Sequence, residues 1–159
     1  MRVRVIALDL GRRRIGLALS DRSGTLATPW RTVGGDGSVP EVVGRLVALL
    51  RELGDDDDGA LAGIVVGLPL HLDGRPHERA VRVRAIASAL EQQTGLPVTL
   101  QDERLTSVEA EQRLALRERD WRKRKARLDA AAAAIMLQDY LDAQLDAREG
   151  RRQKAEDRS

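Results

Sequence analysis

The N-terminal sequence VRVIALDLGRRRIGLALS, residues 3–20, is the most informative part of the chain for its fold. Both of its halves are rich in branched aliphatic residues, and Gly11 separates them where a short turn fits. The pattern predicts two strands, residues 3–9 and 14–20, paired as an antiparallel hairpin. Asp9 ends the first strand, so an acidic side chain is expected at the turn end of the hairpin.

The rest of the chain adds one more hairpin strand and then alternates helix with strand. The predicted elements are a third strand (25–33), a helix (40–53), a buried strand (61–67), a helix (78–94), a short strand (97–101), and helices at 107–118 and 128–147. Pro29 indicates that the third strand lies at a sheet edge. The order predicts an α/β fold whose five-stranded mixed sheet starts as an antiparallel meander, continues with parallel strands, and is flanked by helices.

Length and composition exclude several classes of protein. The chain has 159 residues, enough for one ordinary domain. We expect that domain at residues 1–147, followed by a charged, disordered tail at 148–159 without apolar periodicity. The absence of cysteine excludes disulfide scaffolds, thiolate zinc sites and cysteine nucleophiles. The longest apolar run and the N-terminus resemble neither a membrane span nor a secretory signal, so we expect a cytoplasmic protein with no membrane association.

The distribution of charge favours a nucleic-acid partner. The chain carries 27 basic and 25 acidic residues, and 24 of the basic ones are arginine. The planar guanidinium suits phosphate oxygens. Residues 113–127 hold eight positive and two negative side chains, which we interpret as a basic linker at 119–127. With three aromatic residues in all, the chain is expected to hold a nucleic-acid backbone rather than to stack on bases.

Acidic residues stand where active sites form in open α/β sheets, at the carboxyl ends of strands. Asp9 ends the first strand, Asp102 and Glu103 follow the last, and Asp129 opens the last helix. Three carboxylates close together need a cation, and oxygen-only ligands favour Mg²⁺ or Mn²⁺, as one ion or two. The alternative is that Asp9 and Asp102 are turn residues and Asp129 is a helix N-cap.

Four blocks of sequence, spread over most of the chain, resemble the YqgF family. They are DLGRRRIGLALSD (9–21), VVGLPLHLDG (65–74), DERLTS (102–107) and RKRKARLDAAAAAIMLQ (122–138). This bacterial family is described as pre-16S rRNA nucleases or Holliday junction resolvases with an RNase H-like fold. His71 and Leu72 depart from the asparagine and methionine common in that family, which puts only loop contacts in doubt.

The resemblance implies an RNase H-like nuclease. Asp9, Glu103 and Asp129 match the family's catalytic metal ligands. Asp102, Gly11 and Gly16 match supporting positions; a glycine within a strand often marks a close backbone approach. Asp21 is interpreted as a turn residue.

The implied substrate is structured RNA, cut during maturation of the 16S rRNA 5′ end in ribosome biogenesis, with ribosomal precursor particles as partners. One alternative is a DNA enzyme that cuts four-way junctions, which requires a dimer, whereas the RNA enzyme could be a monomer or a homodimer. The other alternative is a non-catalytic RNA-binding assembly factor.

Basic residues near the predicted site are candidates for binding the nucleic-acid backbone. These residues are Arg12, Arg13, Arg14, Arg75, Arg104, Arg122, Lys123, Arg124, Lys125 and Arg127.

Overall fold

A computed structural model describes residues 3–54, 60–69, 73, 75, 78–102 and 121–158. Within these residues the elements are β1 (Val3–Leu10), β2 (Arg14–Ser20), β3 (Ala27–Gly34), α1 (Val39–Gly54), β4 (Ala60–Leu68), α2 (Ala80–Thr94), β5 (Val98–Asp102) and α3 (Trp121–Glu156). The helix predicted at 107–118 lies outside the described residues. None of the described helices is long and apolar enough to cross a membrane.

The five strands form one sheet in the order β3-β2-β1-β4-β5. β1, β2 and β3 pair antiparallel, whereas β4 pairs parallel with both β1 and β5. The predicted mixed sheet is confirmed. Pro29 lies in the edge strand β3, beside a register shift: Leu17 pairs with Arg31, but Ala18 pairs with Pro29. An edge tolerates proline because its missing N–H faces no neighbouring strand.

The two faces of the sheet carry different cores because successive side chains of a strand point to opposite sides. On one face, large aliphatic residues such as Ile6, Leu8 and Ile64 pack with α1 and α2. On the other face, small residues such as Ala7 and Ala18 pack against Ala133 and Leu137 of α3. Small side chains on both partners let α3 lie close to the sheet. That closeness positions the candidate site.

The helix α3 is longer than the sequence predicts at both ends. The predicted basic linker at 119–127 is wrong from Trp121 onward, because the helix already starts there. The predicted disordered tail at 148–159 also differs from the structure, since α3 continues to Glu156. Residues 146–158 are all exposed, so packing does not hold this end. Neither end shows the apolar periodicity that marks a packed helix in a sequence.

The β2–β3 turn is organised by the carboxylate of Asp21, as the turn interpretation predicts. The Ser23 hydroxyl donates to Asp21 Oδ2 at 2.6 Å. The backbone N–H groups of Thr25 and Leu26 donate to Oδ1 at 2.8 and 3.1 Å. The Ser23 hydroxyl, followed by these two backbone donors, lowers the pKa of Asp21 to about 2. These bonds close the loop and set where β3 begins.

We expect Asp21→Asn to lower the free energy of unfolding at pH 7 by up to about 1 kcal/mol, because the carboxylate is partly exposed and water screens its interactions. The folded-state pKa of Asp21 lies below the ordinary value of 3.8, so the Asp21 contribution is full above that value. It is lost as the pH falls towards 2. Urea unfolding of both proteins between pH 7 and pH 2 checks this. Asp146→Asn removes an exposed carboxylate that has no hydrogen bond to any of the residues that the structure describes and is the control. Identical pH profiles for wild type and Asp21→Asn would contradict the prediction.

Candidate active site

The helix α3 touches the sheet backbone at Gly16 of β2. A Cβ atom added at Gly16 would overlap the carbonyl group of Asp129 and lie 2.8 Å from the backbone nitrogen of Ala130. Only a residue without a side chain lets the helix backbone approach this closely. The close approach expected at Gly16 is therefore present, and its partner is α3.

Gly16 also brings Asp9 to the same place. Asp9 pairs directly with Gly16 across the β1–β2 ladder, and directly opposite residues point to the same face of the sheet. That face is the one covered by α3, because Ala7 and Ala18 on it contact the helix. Asp9 is half-buried there. The structure thus places Asp9 and Asp129 around one glycine, at the carboxyl end of β1.

Asp129 is held by an arginine of the hairpin. Arg14 Nε donates to Asp129 Oδ2 at 2.8 Å, and the side chains of Arg14 and Asp129 are 37% and 25% exposed. The alternative role of Asp129 as a helix N-cap is wrong, because α3 begins eight residues earlier, at Trp121. The Asp129 side chain is therefore partly shielded from water, and its charge-assisted hydrogen bond to Arg14 holds the carboxylate in one orientation.

The third acidic position stands at the end of β5. Asp102 is exposed and lies on the same face of β5 as Val98 and Leu100, which pack into the core under α1 and α2. Strand alternation therefore puts Asp102 on the face opposite Asp9. Glu103 lies outside the described residues. Among the residues that are described, no three acidic or histidine side chains cluster as a metal site would.

The predicted backbone-binding residues fall into several environments. Arg12 and Arg13 are exposed on the β1–β2 turn, whereas Arg14 binds Asp129. Arg75 is exposed and its Nε donates to Asp73 Oδ2 at 2.6 Å. The remaining residues are Arg122, Lys123, Arg124, Lys125 and Arg127, which belong to the first turns of α3, and Arg104, which lies outside the described residues.

The β1–β2 turn is held by hydrogen bonds to the loop that follows β3, and this loop is held by residues of α1 and α2 that no sequence pattern predicted. Gly11 N donates to the Arg14 carbonyl at 2.9 Å and closes the turn, and Gly35 N donates to the Arg13 carbonyl at 2.9 Å. Arg45 of α1 donates to the carbonyls of residues 34 and 36, and Arg82 of α2 to those of residues 35 and 37. Two helices therefore fix a loop that in turn fixes the hairpin. No local pattern signals these contacts, because each arginine lies 9 to 47 residues from its acceptor.

Comparison with known proteins agrees with this geometry. Residues 3–143 match the model of the RuvX family, described as Holliday junction resolvase. The chain belongs to this family. A Chloroflexus aurantiacus relative is 41% identical over 140 residues, which cover 87% of this chain and 86% of the relative. A Nocardioides relative is 44% identical over 140 residues, 86% of each. Both are named as candidate pre-16S rRNA nucleases, and the resemblance drawn from the four sequence blocks is confirmed.

Solved structures confirm the fold. Thermus thermophilus RuvC in complex with a Holliday junction substrate superimposes with a TM-score of 0.51 at 19% identity, over 90% of this chain and 96% of that one. A second structure of T. thermophilus RuvC gives a TM-score of 0.52, also at 19% identity, over 91% and 97% of the two chains. At this identity the likeness shows the RNase H-like fold of the RuvX-family chain and nothing finer.

We expect Gly16→Ala to lower the free energy of unfolding by about 3 kcal/mol or more, because the added methyl group meets the backbone of α3 rather than a flexible side chain. Gly44→Ala is the matched control: its Cβ meets nothing within 4 Å, and alanine in a helix is favoured over glycine by about 0.5–1 kcal/mol. Urea unfolding of the three proteins measures both effects. Equal stability of Gly16→Ala and wild type would mean that α3 does not pack against β2 as described.

Proposed function

We propose that this chain is a metal-dependent nuclease that hydrolyses phosphodiesters of structured RNA. The observation that carries the proposal is the meeting of Asp9 and Asp129 at Gly16, at the carboxyl end of β1. Two acidic groups from different elements repel each other unless a cation joins them. Membership of a family described as resolvases, with relatives named for a nuclease, supports the same reaction class.

The carboxylates of Asp9 and Asp129 are suitable ligands for the proposed cation. Asp9 and Asp129 offer only oxygen atoms, which suits Mg²⁺ or Mn²⁺ rather than a thiolate-bound metal. Arg14 engages Oδ2 of Asp129, and a carboxylate has a second oxygen for another partner. One or two bound ions would supply an activated water and stabilisation of the leaving oxygen of the phosphodiester. Asp9, Glu103 and Asp129 are the residues that we propose to hold them.

Register in the sheet argues against Asp102 as the third ligand. Leu8, Val66 and Leu100 are aligned across β1, β4 and β5, and the next row therefore contains Asp9 and Gln101. Two strand spacings, about 10 Å, separate the backbones of these two residues. Asp102 has the alternation opposite to that of Gln101, and hence lies on the face opposite Asp9. We therefore propose Asp102 as a supporting residue, and we propose Glu103 as the third ligand because it matches the metal-ligand position of the family that the four sequence blocks resemble.

The remaining side chains bind and orient the substrate in this proposal. Arg12 and Arg13 project from the turn that directly follows Asp9, within reach of phosphates that flank the bond to be cut. Arg14 keeps the Asp129 carboxylate in one orientation and is a positioning residue. Gly11 and Gly16 act through the backbone, by closing the turn and by admitting α3.

The substrate class is the finer part of the proposal. Relatives that align over most of this chain are named for pre-16S rRNA, which favours maturation of the 16S rRNA 5′ end on ribosomal precursor particles in the cytoplasm. The family description favours a DNA four-way junction instead. A junction enzyme needs two symmetric sites and hence a stable dimer. The oligomeric state, measured by sedimentation, therefore distinguishes the two substrates without a cleavage assay: a stable dimer favours the DNA junction, and a monomer favours RNA.

We expect Asp9→Asn to reduce cleavage by about 100-fold or more while RNA binding survives, because the change removes a metal ligand and a negative charge together. Glu103→Gln and Asp129→Asn should act alike. End-labelled rRNA precursor, single-stranded RNA and a four-way DNA junction are tested with Mg²⁺, Mn²⁺ or EDTA.

Asp146→Asn removes an exposed carboxylate elsewhere in α3 and is the matched control for these variants. The control protein should retain the cleavage activity of the wild type, since position 146 lies 17 residues after Asp129 in the helix, about 25 Å away. If wild type binds every substrate and cuts none with either metal, the nuclease proposal fails and a binding role in ribosome assembly replaces it.

We expect Arg122→Gln and Lys125→Gln to weaken RNA binding more than Arg124→Gln does. Positions 122 and 125 stand seven and four residues before Asp129 in α3 and share its side of the helix, whereas position 124 does not. Each lost phosphate contact should lower the slope of log affinity against log salt by about 0.7–0.9. Salt titrations of RNA binding measure the slope. Equal slopes for the three variants would contradict this placement.

A further inference from the structure

The C-terminal part of α3 extends beyond the rest of the protein. The family match ends at residue 143, whereas the helix continues to Glu156. The Gln138 side chain accepts from Ala27 N and donates to the Thr25 carbonyl, both at 2.9 Å, which ties the helix to the start of β3. Past Leu141 the residues are exposed except for the half-buried Leu145. Residues 142–156 thus form a projection about 22 Å long at 1.5 Å per residue.

Charges on this projection are sorted by side. At about 100° per residue, four basic residues fall within one arc of roughly 160°: Arg148, Arg151, Arg152 and Lys154. Four acidic residues fall within the opposite arc: Asp142, Asp146, Glu149 and Glu156. We call the first set the basic stripe. It continues the stripe of α3 that packs on the sheet, since Arg148 follows Leu141 by seven residues and Leu137 by eleven.

This arrangement stabilises the projection poorly by itself. Arg148 is a helical neighbour of Arg151 and of Arg152, and Arg151 is a neighbour of Lys154; such like-charge pairs destabilise an exposed helix. None of the four basic side chains makes a hydrogen bond or an ion pair in the part of the chain that the structure describes. Arg152 has acidic helical neighbours, Glu149 and Glu156, whereas Arg148, Arg151 and Lys154 have none within α3. A polyanion that contacts the stripe relieves the repulsion.

We propose that the basic stripe binds the phosphate backbone of nucleic acid, as a contact separate from the active site. Arg148 lies 19 residues after Asp129 in the same helix, about 28 Å away, and α3 runs from the β1–β2 turn towards the β2–β3 turn, at the opposite end of these strands. The stripe therefore contacts a distant part of a folded RNA rather than the bond that is cut. The inference takes the identity of the polyanion from the proposed function, but it concerns binding and does not depend on cleavage.

The test compares two double variants that remove the same charge. Arg148→Gln with Arg152→Gln changes the stripe. Arg51→Gln with Arg84→Gln changes exposed arginines of α1 and α2 that make no hydrogen bond within the described part of the chain. Both are made in the full chain with Asp9→Asn, so that cleavage does not interfere. Affinity for a long folded rRNA precursor and for a ten-nucleotide single strand is measured against salt. Circular dichroism verifies that α3 remains helical.

We expect the stripe variant to bind the long RNA about tenfold more weakly at low salt, with a salt slope lower by about 1.4 to 1.8. The α1/α2 control should match the parent on the long RNA. On the ten-nucleotide strand, all three proteins should bind alike, because so short a ligand cannot reach both surfaces. Gly150→Ala, which favours the helix by about 1 kcal/mol, should preserve or strengthen binding of the long RNA.

Three outcomes overturn the inference. The first is an equal affinity loss in both double variants, which would indicate only a general charge effect. The second is unchanged binding of the long RNA by the stripe variant. The third is a change of sedimentation without a change of RNA affinity, which would assign the stripe to a second copy of the chain. A failure of the nuclease proposal would look different: wild type would not cleave, while the stripe variant would still lose affinity for the long RNA.

Discussion

The close approach of α3 to the backbone of β2 at Gly16 is the constraint on which the rest of the site depends. Asp9 reaches the site through its ladder pairing with Gly16, and Asp129 reaches it because α3 is allowed to touch the same residue. The alanines along α3 and on the facing strands keep the two layers close over the following turns. A site that joins a strand residue to a residue 120 positions later is therefore set by the absence of one side chain.

Local pattern was sufficient for the sheet and for part of the site. The aliphatic strand residues and the turn at Gly11 predicted the antiparallel start of a mixed sheet, and Pro29 predicted that β3 is an edge strand. These signals depend only on neighbours in sequence. The position of Asp9 at a strand end followed from the same pattern. The meeting of Asp9 and Asp129 did not, because it needs the sheet register and the docking of α3.

The errors have a common physical origin. Residues 121–127 and 148–156 are helical without an apolar stripe. Hydrophobic periodicity therefore predicts a helix that begins too late and ends too early. Arg45 and Arg82, which hold the loop behind the hairpin, could not be singled out, since their acceptors are backbone carbonyls of any residue type. Sequence reveals which side chains carry chemistry more readily than which ones keep the backbone in place.

The edge strand β3 affects how readily the protein aggregates at high concentration. An exposed strand edge offers unpaired N–H and C=O groups on which another chain can add a strand and start an aggregate. Pro29 removes one of those N–H groups, and the register shift beside it distorts the row of the others. A polyanion that gathers many copies of a basic protein brings their edges together. A poorly templating β3 edge lets such copies crowd on one nucleic acid without joining their sheets.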